Sequence, residues 1–209
     1  MIFFITLIAS AISAYLIGAI PTGFILAKIF KGVDIRNLGS SSTGATNVFR
    51  VAGKLPSLVT LVIDILKGVF VTTVIAAYAY PAVEILDYDF YRGLLGLIAI
   101  CGHIWPVFLG FRGGKGVAAT IGVLSVITPI TLFLSLAVWF IIFSLTGYVS
   151  LASIVFGISI PVLACTLNQP FYTILLAVAI CLINTYKHSA NIRRLLKCEE
   201  SKTNIFKRR

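Results

Sequence analysis

Three glycines and two cations stand together at residues 112–116, in an otherwise apolar part of the chain. Gly113, Gly114 and Gly116 can adopt backbone angles that other residues avoid, so consecutive N–H groups can point into one concavity. Arg112 and Lys115 add positive charge beside those donors. The sequence therefore predicts a turn that binds a phosphate.

A second polar stretch, residues 34–50, is rich in hydroxyl and amide side chains. Ser40, Thr46 and Asn47 are typical of the turns and helix caps of an interfacial loop. Arg50 offers a planar guanidinium suited to phosphate, and small hydroxyl residues beside it let a substrate approach the backbone. On these residues alone, a structural loop and a phosphate site both stay open.

A third polar stretch places His188, Asn191 and Arg194 three residues apart, hence on one face of a helix. The surrounding basic residues also suit a solvated helix end at a membrane surface. A histidine aligned with an asparagine favours a ligand contact. His103, just before Trp105 and Pro106, is equally consistent with a packed interfacial residue and with a site residue.

Asp64 and Lys67 also share a helix face, within an apolar segment. Charges inside a membrane rarely persist unpaired. We therefore predict an ion pair in preference to direct catalysis, although Lys67 is long enough to extend toward the polar surface.

Several common chemistries lack their residues in this chain. The four cysteines are widely spaced, without a C-x-x-C pair, so neither a disulfide framework nor a metal site is indicated. Phe108 and Arg193 stand five positions after the two histidines, so the H-x-x-x-x-D pair of thioester-dependent acyltransferases is absent. Gly116 follows Lys115, so there is no G-x-x-x-x-G-K-[ST] nucleotide loop. We predict no metal and no nucleotide cofactor.

The composition is that of an integral membrane protein. Of the 209 residues, 59% are hydrophobic and 11% are charged, whereas roughly 25% are charged in an ordinary soluble domain. Residues 1–27, 93–111 and 116–186 carry no charge, and a spanning helix needs about 20 residues. The first run lacks a basic n-region and a cleavage site, so we expect residues 1–27 to form a retained helix.

The net charge of +10 is better explained by topology than by nucleic acid binding, because the cations interrupt lipid-length segments in short loops. Acidic residues dominate 81–92, where Arg92 is the only cation, and we expect that loop to be external. Fifteen cations are expected on the cytoplasmic side: Lys28, Lys31, Arg36, Arg50, Lys54, Arg112, Lys115, Lys187, Arg193, Arg194, Lys197, Lys202, Lys207, Arg208 and Arg209.

These loop assignments fix the parity of the crossings. Two crossings fit the stretches 56–80 and 91–110, and four fit the uncharged tract 116–186. Breaks are expected at 128–129, 146–148 and 168–170, where Pro, Gly and polar pairs disrupt helices. We predict an all-α polytopic membrane protein with seven transmembrane helices, the N-terminus outside, the C-terminus cytoplasmic, and one short or tilted helix near 117–128. No repeat or domain boundary is visible, so residues 1–209 are treated as a single domain.

Together the three polar stretches resemble the bacterial acyl-phosphate:glycerol-3-phosphate acyltransferase family, the PlsY family, over nearly the whole chain. The first motif of the family is matched by Ser40, Gly44–Val48 and Arg50. The second motif is matched by Gly102, His103, Pro106–Phe108 and Gly113–Ala118. The third motif is matched by Lys187, His188, Asn191, Ile192, Arg194, Leu195 and Glu200. Asp64, Lys67, Gly68 and Tyr148–Leu151 also match.

Five positions depart from the pattern of that family. Ser41 and Ser42 stand where it usually has Gly and Asn, and Cys198 stands where it has Gly. Arg112 replaces a common Lys and Gly147 a frequent Arg. Ser40, Asn47 and Arg50 are retained.

The resemblance implies a seven-helix enzyme of the bacterial inner membrane with its active site facing the cytoplasm. It would transfer a fatty acyl group from acyl phosphate to the sn-1 hydroxyl of glycerol 3-phosphate, giving lysophosphatidic acid and phosphate, the first acylation step of phospholipid biosynthesis. Functional coupling to the enzyme that makes acyl phosphate is also expected.

The site residues are expected to converge at the inner leaflet. We predict catalytic roles for Ser40, Lys115 and His188. Substrate binding is predicted for Arg50, Asn47, Thr46, His103, Gly113, Gly114, Gly116, Ser150, Asn191 and Glu200. An acyl intermediate on Ser40 is the less favoured route, because no Ser-His-Asp arrangement is visible.

Two other classes of protein fit the sequence less well. A transporter of organic phosphates would use similar cations, but transporters place their sites near the midplane between repeats, and no repeat is evident here. A membrane scaffold would leave the three polar stretches without a role.

Overall fold

The structure, a computed structural model, describes residues 1–202. All regular secondary structure in this range is helical, which confirms the predicted all-α class. Three of the cations assigned to the cytoplasmic side, Lys207, Arg208 and Arg209, lie outside the described residues. The helices are α1 (Ile2–Ala19), α2 (Thr22–Lys31), α3 (Ala45–Ala52), α4 (Lys54–Phe70), α5 (Ala76–Ala79), α6 (Tyr88–Ile104), α7 (Val117–Ile127), α8 (Pro129–Thr146), α9 (Val149–Thr166), α10 (Phe171–Lys187) and α11 (Ser189–Leu196).

The chain forms two compact units, Met1–Ile127 and Thr128–Arg209. In the first unit, α1 packs along α6, and α4 packs on α3 and α7. A π-helical turn, Val71–Ile75, continues α4 into α5. In the second unit, α9 packs between α8 and α10, and α11 contacts α9.

The helix expected over residues 1–27 lies within one apolar span, Ile2–Lys31, but it is interrupted, because α1 ends at Ala19 and α2 begins at Thr22. Pro21 has no N–H to continue the helix and disfavours helical angles at the residue before it. Ile20 accordingly leaves the helical region, with φ −55° and ψ 117°. The first apolar run therefore has a break whose backbone groups need other partners.

The three breaks predicted in the long uncharged tract are confirmed. Helix α8 starts at Pro129, and α8 ends at Thr146 before Gly147, whose φ of 74° stops the helix. Helix α10 begins directly after Pro170. The short helix expected near 117–128 is α7, with 11 residues.

Within residues 1–202, five helical segments are long and apolar enough to cross a membrane: Ile2–Lys31, Lys54–Ala82, Tyr88–Leu109, Pro129–Thr146 and Val149–Thr166. A sixth results if α10 and α11, which meet at 58°, count as one broken span. Seven crossings, an external N-terminus and an external loop at 81–92 stay predictions.

Glycines allow the helices of the first unit to approach closely. A Cβ added to Gly68 would collide with the carbonyl of Ala119 on α7, and one added to Gly122 would collide with the carbonyl of Ile65 on α4. Close backbone approach through small residues is the usual means of packing helices in lipid. The α4–α7 crossing consequently fixes where the segment before α7 emerges.

We expect Gly122→Ala to lower the thermal unfolding midpoint in detergent, with a loss of about 1–3 kcal/mol, because the methyl group overpacks this crossing. Intrinsic tryptophan fluorescence during heating measures the midpoint. Gly44→Ala is the matched control, since its φ is −74° and its Cβ would meet only Ser42 Oγ, at 3.6 Å. Equal midpoints for the two variants would contradict the packing argument.

Candidate active site

Asn47 organises the first polar loop from the inside. It is only 1% exposed, and its Nδ2 donates to the carbonyls of Leu38 (3.0 Å) and Ser42 (2.9 Å). Its Oδ1 accepts the backbone N–H of Ser40 at 2.9 Å. The polar atoms of Asn47 are thus directed at the loop backbone, and they hold Ser40, which is half-buried, in place.

Ser41 adopts a left-handed backbone conformation, with φ 57°. Such angles cost a residue with a Cβ about 1–2 kcal/mol, whereas glycine adopts them freely. Cys198 has the same φ, 57°. The resemblance implies a glycine at both positions, and a left-handed conformation is one that favours glycine.

Arg36 connects the first polar loop to the segment that precedes the glycine turn. Its guanidinium pairs with Asp34 at 2.6 Å, donates to the Leu109 carbonyl at 3.2 Å and stacks on Phe24. Hydrogen bonds from Arg36 lower the pKa of Asp34 to about 2. This pair stays charged at neutral pH and fixes the two polar segments of the first unit to one another.

The remaining predicted residues of this loop lie on the short helix α3. Thr46 is half-buried in its first turn, and Arg50 is exposed in its last turn. Ser57 Oγ on α4 donates to the Ala45 carbonyl at 2.9 Å, which anchors the start of α3.

The glycine turn differs in detail from the sequence prediction. Of its three glycines only Gly116 has positive φ, 84°. The N–H of Gly113 donates to the Ile104 carbonyl and that of Gly114 to the His103 carbonyl, both at 3.2 Å. The expectation that these two N–H groups point into a shared concavity is wrong, because they cap the C-terminal end of α6.

Close packing explains why Gly113 and Gly114 are glycines. A Cβ on Gly113 would collide with the His103 carbonyl, and a Cβ on Gly114 would collide with the His103 imidazole. His103 lies directly beneath the turn and is 8% exposed.

The end of the turn keeps the features expected of an anion site. Gly116 turns the chain into α7, and its carbonyl accepts the Thr120 N–H at 2.8 Å. The first N–H groups of a helix have no acceptor within it, and the helix dipole favours an anion there. Lys115 is half-buried two residues before this helix start, and Arg112 is exposed.

The predicted ion pair between Asp64 and Lys67 is confirmed. Lys67 Nζ lies 2.7 Å from Asp64 Oδ1, and the residues are 5% and 2% exposed. His103 Nδ1 lies 3.7 Å from the same oxygen, which is an electrostatic contact rather than a hydrogen bond.

In the second unit, Glu200 holds the third motif together. Its carboxylate accepts from Asn191 Nδ2 at 2.7 Å and from Arg194 Nε at 2.6 Å. Burial would raise the pKa of Glu200, but hydrogen bonds from Arg194 and Asn191 stabilise the anion and hold the pKa below its usual range. Glu200 therefore links the segment after α11 to α11 itself.

His188 occupies the bend between α10 and α11 and is 2% exposed. Its Nδ1 lies 2.9 Å from the Asn184 carbonyl. Because a carbonyl only accepts, Nδ1 carries a proton, and in the neutral imidazole the lone pair belongs to Nε2. The ring is therefore fixed with its basic nitrogen on the side away from Asn184.

The structure thus brings the predicted residues into two groups. Ser40, Thr46, Asn47, Arg50, His103 and the glycine turn with Lys115 belong to the first unit. Ser150, His188, Asn191 and Glu200 belong to the second.

Sequence reasoning missed three supporting residues: Arg36 and Asp34, which it treated only as loop charges, and Asn184, whose side chain donates to the Ser153 carbonyl at 2.9 Å. The signal for Asn184 was available, since it precedes His188 by one helical turn in an apolar segment.

Comparison with known proteins gives a consistent result. The sequence model of the glycerol-3-phosphate acyltransferase family matches residues 8–198. A glycerol-3-phosphate acyltransferase of Desulforamulus reducens is 37% identical over 198 residues, covering 95% of this chain and 96% of that protein. One from Desulforudis audaxviator is 40% identical over 194 residues, covering 93% and 94%.

Solved structures are similar as well. The crystal structure of PlsY, an integral membrane glycerol 3-phosphate acyltransferase, in its glycerol 3-phosphate form has a TM-score of 0.84 and 38% identity, covering 94% of this chain and 95% of that one. The lysophosphatidic acid form has a TM-score of 0.81 and 37% identity, covering 94% of each.

We expect Ser41→Gly to stabilise the fold by about 1 kcal/mol, because glycine removes the strain of the left-handed conformation, less its extra unfolded-state entropy. Thermal unfolding in detergent measures the change. Ser42→Gly is the control, because Ser42 does not have a positive φ. The Ser42 Oγ accepts the Gly44 N–H. A Ser41→Gly variant no more stable than Ser42→Gly would contradict the strain argument.

Glu200→Gln should cost about 1.5–3 kcal/mol of unfolding free energy at pH 7, because it weakens hydrogen bonds to a buried anion. The folded-state pKa of Glu200 is lowered, so its stabilisation is present above the unfolded pKa and is lost as the pH falls toward the folded one. The difference between wild type and variant should therefore shrink in acid. Glu199→Gln, at an exposed neighbour, is the control, and a pH-independent difference would contradict the assignment.

Proposed function

Because the chain belongs to the glycerol-3-phosphate acyltransferase family, we propose that it transfers a fatty acyl group from acyl phosphate to the sn-1 hydroxyl of glycerol 3-phosphate. The products are 1-acyl-glycerol 3-phosphate, which is lysophosphatidic acid, and inorganic phosphate. The observation that carries this proposal is the end of the glycine turn, where Lys115 stands two residues before the start of α7. That arrangement favours a phosphate dianion through both a side-chain charge and a helix dipole.

The reaction needs little beyond binding and charge stabilisation, since a mixed anhydride is already an activated donor. The hydroxyl oxygen of glycerol 3-phosphate forms a bond to the acyl carbonyl carbon, and the bond from that carbon to the phosphate oxygen breaks. The leaving phosphate takes the electron pair. Lys115 and the N–H groups at the start of α7 would offset the negative charge on the carbonyl oxygen and on the departing phosphate.

The hydroxyl proton needs an acceptor, and the chain offers two kinds. His188 in its neutral form has a basic Nε2 held by the bond from Nδ1 to Asn184. The phosphate of the donor is the alternative acceptor, and it requires no protein base. The proton is accounted for on both routes. It ends on the leaving phosphate, or it passes to His188, which later gives it to the phosphate.

In the first unit we assign phosphate binding to Arg50 and Thr46, and orientation of the acceptor hydroxyl to Ser40. Asn47 supports that serine through the loop backbone. In the second unit we assign contact with glycerol 3-phosphate to His188 and Asn191. Glu200 holds Asn191 and Arg194 of α11 in place. Positioning by such groups can supply a large part of a rate acceleration.

The protein is a multi-pass membrane protein, consistent with its apolar helices and with the integral membrane structures it resembles. We propose that it lies in the bacterial inner membrane, with the polar segments facing the cytoplasm. There, functional coupling to the enzyme that makes acyl phosphate would supply its donor.

The test is to mix detergent-purified protein with glycerol 3-phosphate and palmitoyl phosphate, and to measure phosphate release and lysolipid formation together. Both should appear in equal amounts. Lys115→Ala should lower kcat by roughly 10²–10³-fold, the loss typical of removing an oxyanion-stabilising donor. Cys165→Ala, at an exposed helix position, is the control and should keep full activity. Folded protein that yields neither product, or a Lys115→Ala variant with full activity, would refute the proposal.

A further inference from the structure

A cluster of buried charges in the first unit is not used by the proposed reaction. Asp64 and Lys67 on α4 and His103 on α6 are 2%, 5% and 8% exposed. Asp64 Oδ1 contacts both Lys67 Nζ at 2.7 Å and His103 Nδ1 at 3.7 Å. One carboxylate oxygen therefore joins two helices, α4 and α6, through two different side chains.

Lys67 extends this cluster to the break between α1 and α2. Its Nζ donates to the Ile20 carbonyl at 2.5 Å and to Thr22 Oγ1 at 2.6 Å. With the bond to Asp64 these contacts use all three donors of the ammonium group. Lys67 is consequently a clamp on the break that Pro21 causes.

The clamped break leads directly into the first polar loop. Helix α2 starts at Thr22, and a Cβ on Gly23 would collide with the carbonyl of Thr43. The helix thus packs against the backbone of the loop that carries Ser40. A displacement of the start of α2 would be transmitted to that loop.

His103 extends the cluster to the glycine turn. Its carbonyl accepts the Gly114 N–H at 3.2 Å, and its imidazole fills the space where a Gly114 side chain would lie. The residue that follows Gly114 is Lys115. The His103 ring faces Asp64 through Nδ1. Its orientation therefore affects the packing beneath Gly114 and the glycine turn.

We propose that Asp64 is a positioning residue that fixes the first polar loop, through Lys67, and the glycine turn, through His103, in one geometry. The inference rests on the proposed function, because it assigns the purpose of that geometry to acyl transfer. Asp64 itself touches no reacting atom in this proposal. Its effect passes through the two residues that it binds.

A purely structural account is the competing explanation. Asp64 and Lys67 would then only neutralise one another, since a single buried charge is costly. The two accounts differ in one respect: if mutual neutralisation is the whole role, removing both charges together should restore the wild-type behaviour.

The experiment compares wild type, Asp64→Asn and the neutral pair Asp64→Asn with Lys67→Met. Hydrogen exchange followed by mass spectrometry reports the amides of Gly113 and Gly114 and those of Ile20, Thr22 and Gly23. We expect these amides to exchange at least tenfold faster in both variants. Exchange in α9 of the second unit should not change.

The kinetic readout uses the same samples with glycerol 3-phosphate and palmitoyl phosphate. We expect kcat to fall at least tenfold in the neutral pair, and Asp64→Glu to recover part of the loss because it keeps the carboxylate. Thr60→Val is the matched control, since Thr60 is equally buried on α4 but bonds only to the Pro56 carbonyl of its own helix. It should leave both exchange and kcat at wild-type values.

Wild-type exchange and wild-type kcat in the neutral pair would overturn the proposal and favour mutual neutralisation. A uniform rise in exchange over α9 as well as the turn would also overturn it, because it would indicate general destabilisation. If wild type itself shows no acyl transfer while the turn still loosens in the variants, the proposed function fails and the structural link to the turn stands.

Discussion

In an apolar environment each backbone N–H and C=O group must find its partner within the protein, and this constraint accounts for the arrangement of the polar residues. Every place where a helix of the first unit stops exposes groups that need partners. At the α1–α2 break the partner is Lys67. After α6 the partners are Gly113 and Gly114, and in the first polar loop the partner is Asn47.

The residues selected from the sequence as site candidates thus fall into two kinds: those that shape a polar segment and those that the segment presents. Asn47, Gly113 and Gly114 are bonded to the backbone around them and define the shape of their segments. Lys115, Arg50 and Ser40 are presented by those segments. In the second unit, Glu200 positions the side chain of Asn191, and the Asn184 carbonyl positions the imidazole of His188.

Much of the fold could be predicted from the sequence, because charge-free runs and helix breakers are strong local signals. The structure confirms three predicted helix boundaries: α8 begins at Pro129 and ends before Gly147, and α10 begins after Pro170. Pro21 is the same kind of signal, but the long apolar run that surrounds it favours one continuous helix. The number of crossings is harder to obtain, because α7 and the bent pair α10 and α11 have lengths that do not decide it.

Candidate site residues could be selected from the sequence, but their contacts could not be predicted from it. Polar side chains in an apolar chain are conspicuous, which is why Lys115, His188 and Asn191 could be selected. The partners of the glycine N–H groups were not predictable, because hydrogen bonds from a turn to the preceding helix depend on the chain reversal at Trp105 and Pro106. The link from Arg36 to the Leu109 carbonyl likewise joins residues far apart in sequence.

The backbone of Ser41 shows what determines the form of the first loop. A serine has no intrinsic preference for the conformation it adopts there, so its surroundings impose that conformation. The chief contribution comes from Asn47, six residues along the chain, whose amide binds the backbone of Ser40 and Ser42 on either side. Because the surrounding residues impose this backbone conformation, the side chain at position 41 can change without altering the conformation. Residues at the rim of such a loop can therefore change while the shape of the loop persists, provided the buried amide of Asn47 at its centre is kept.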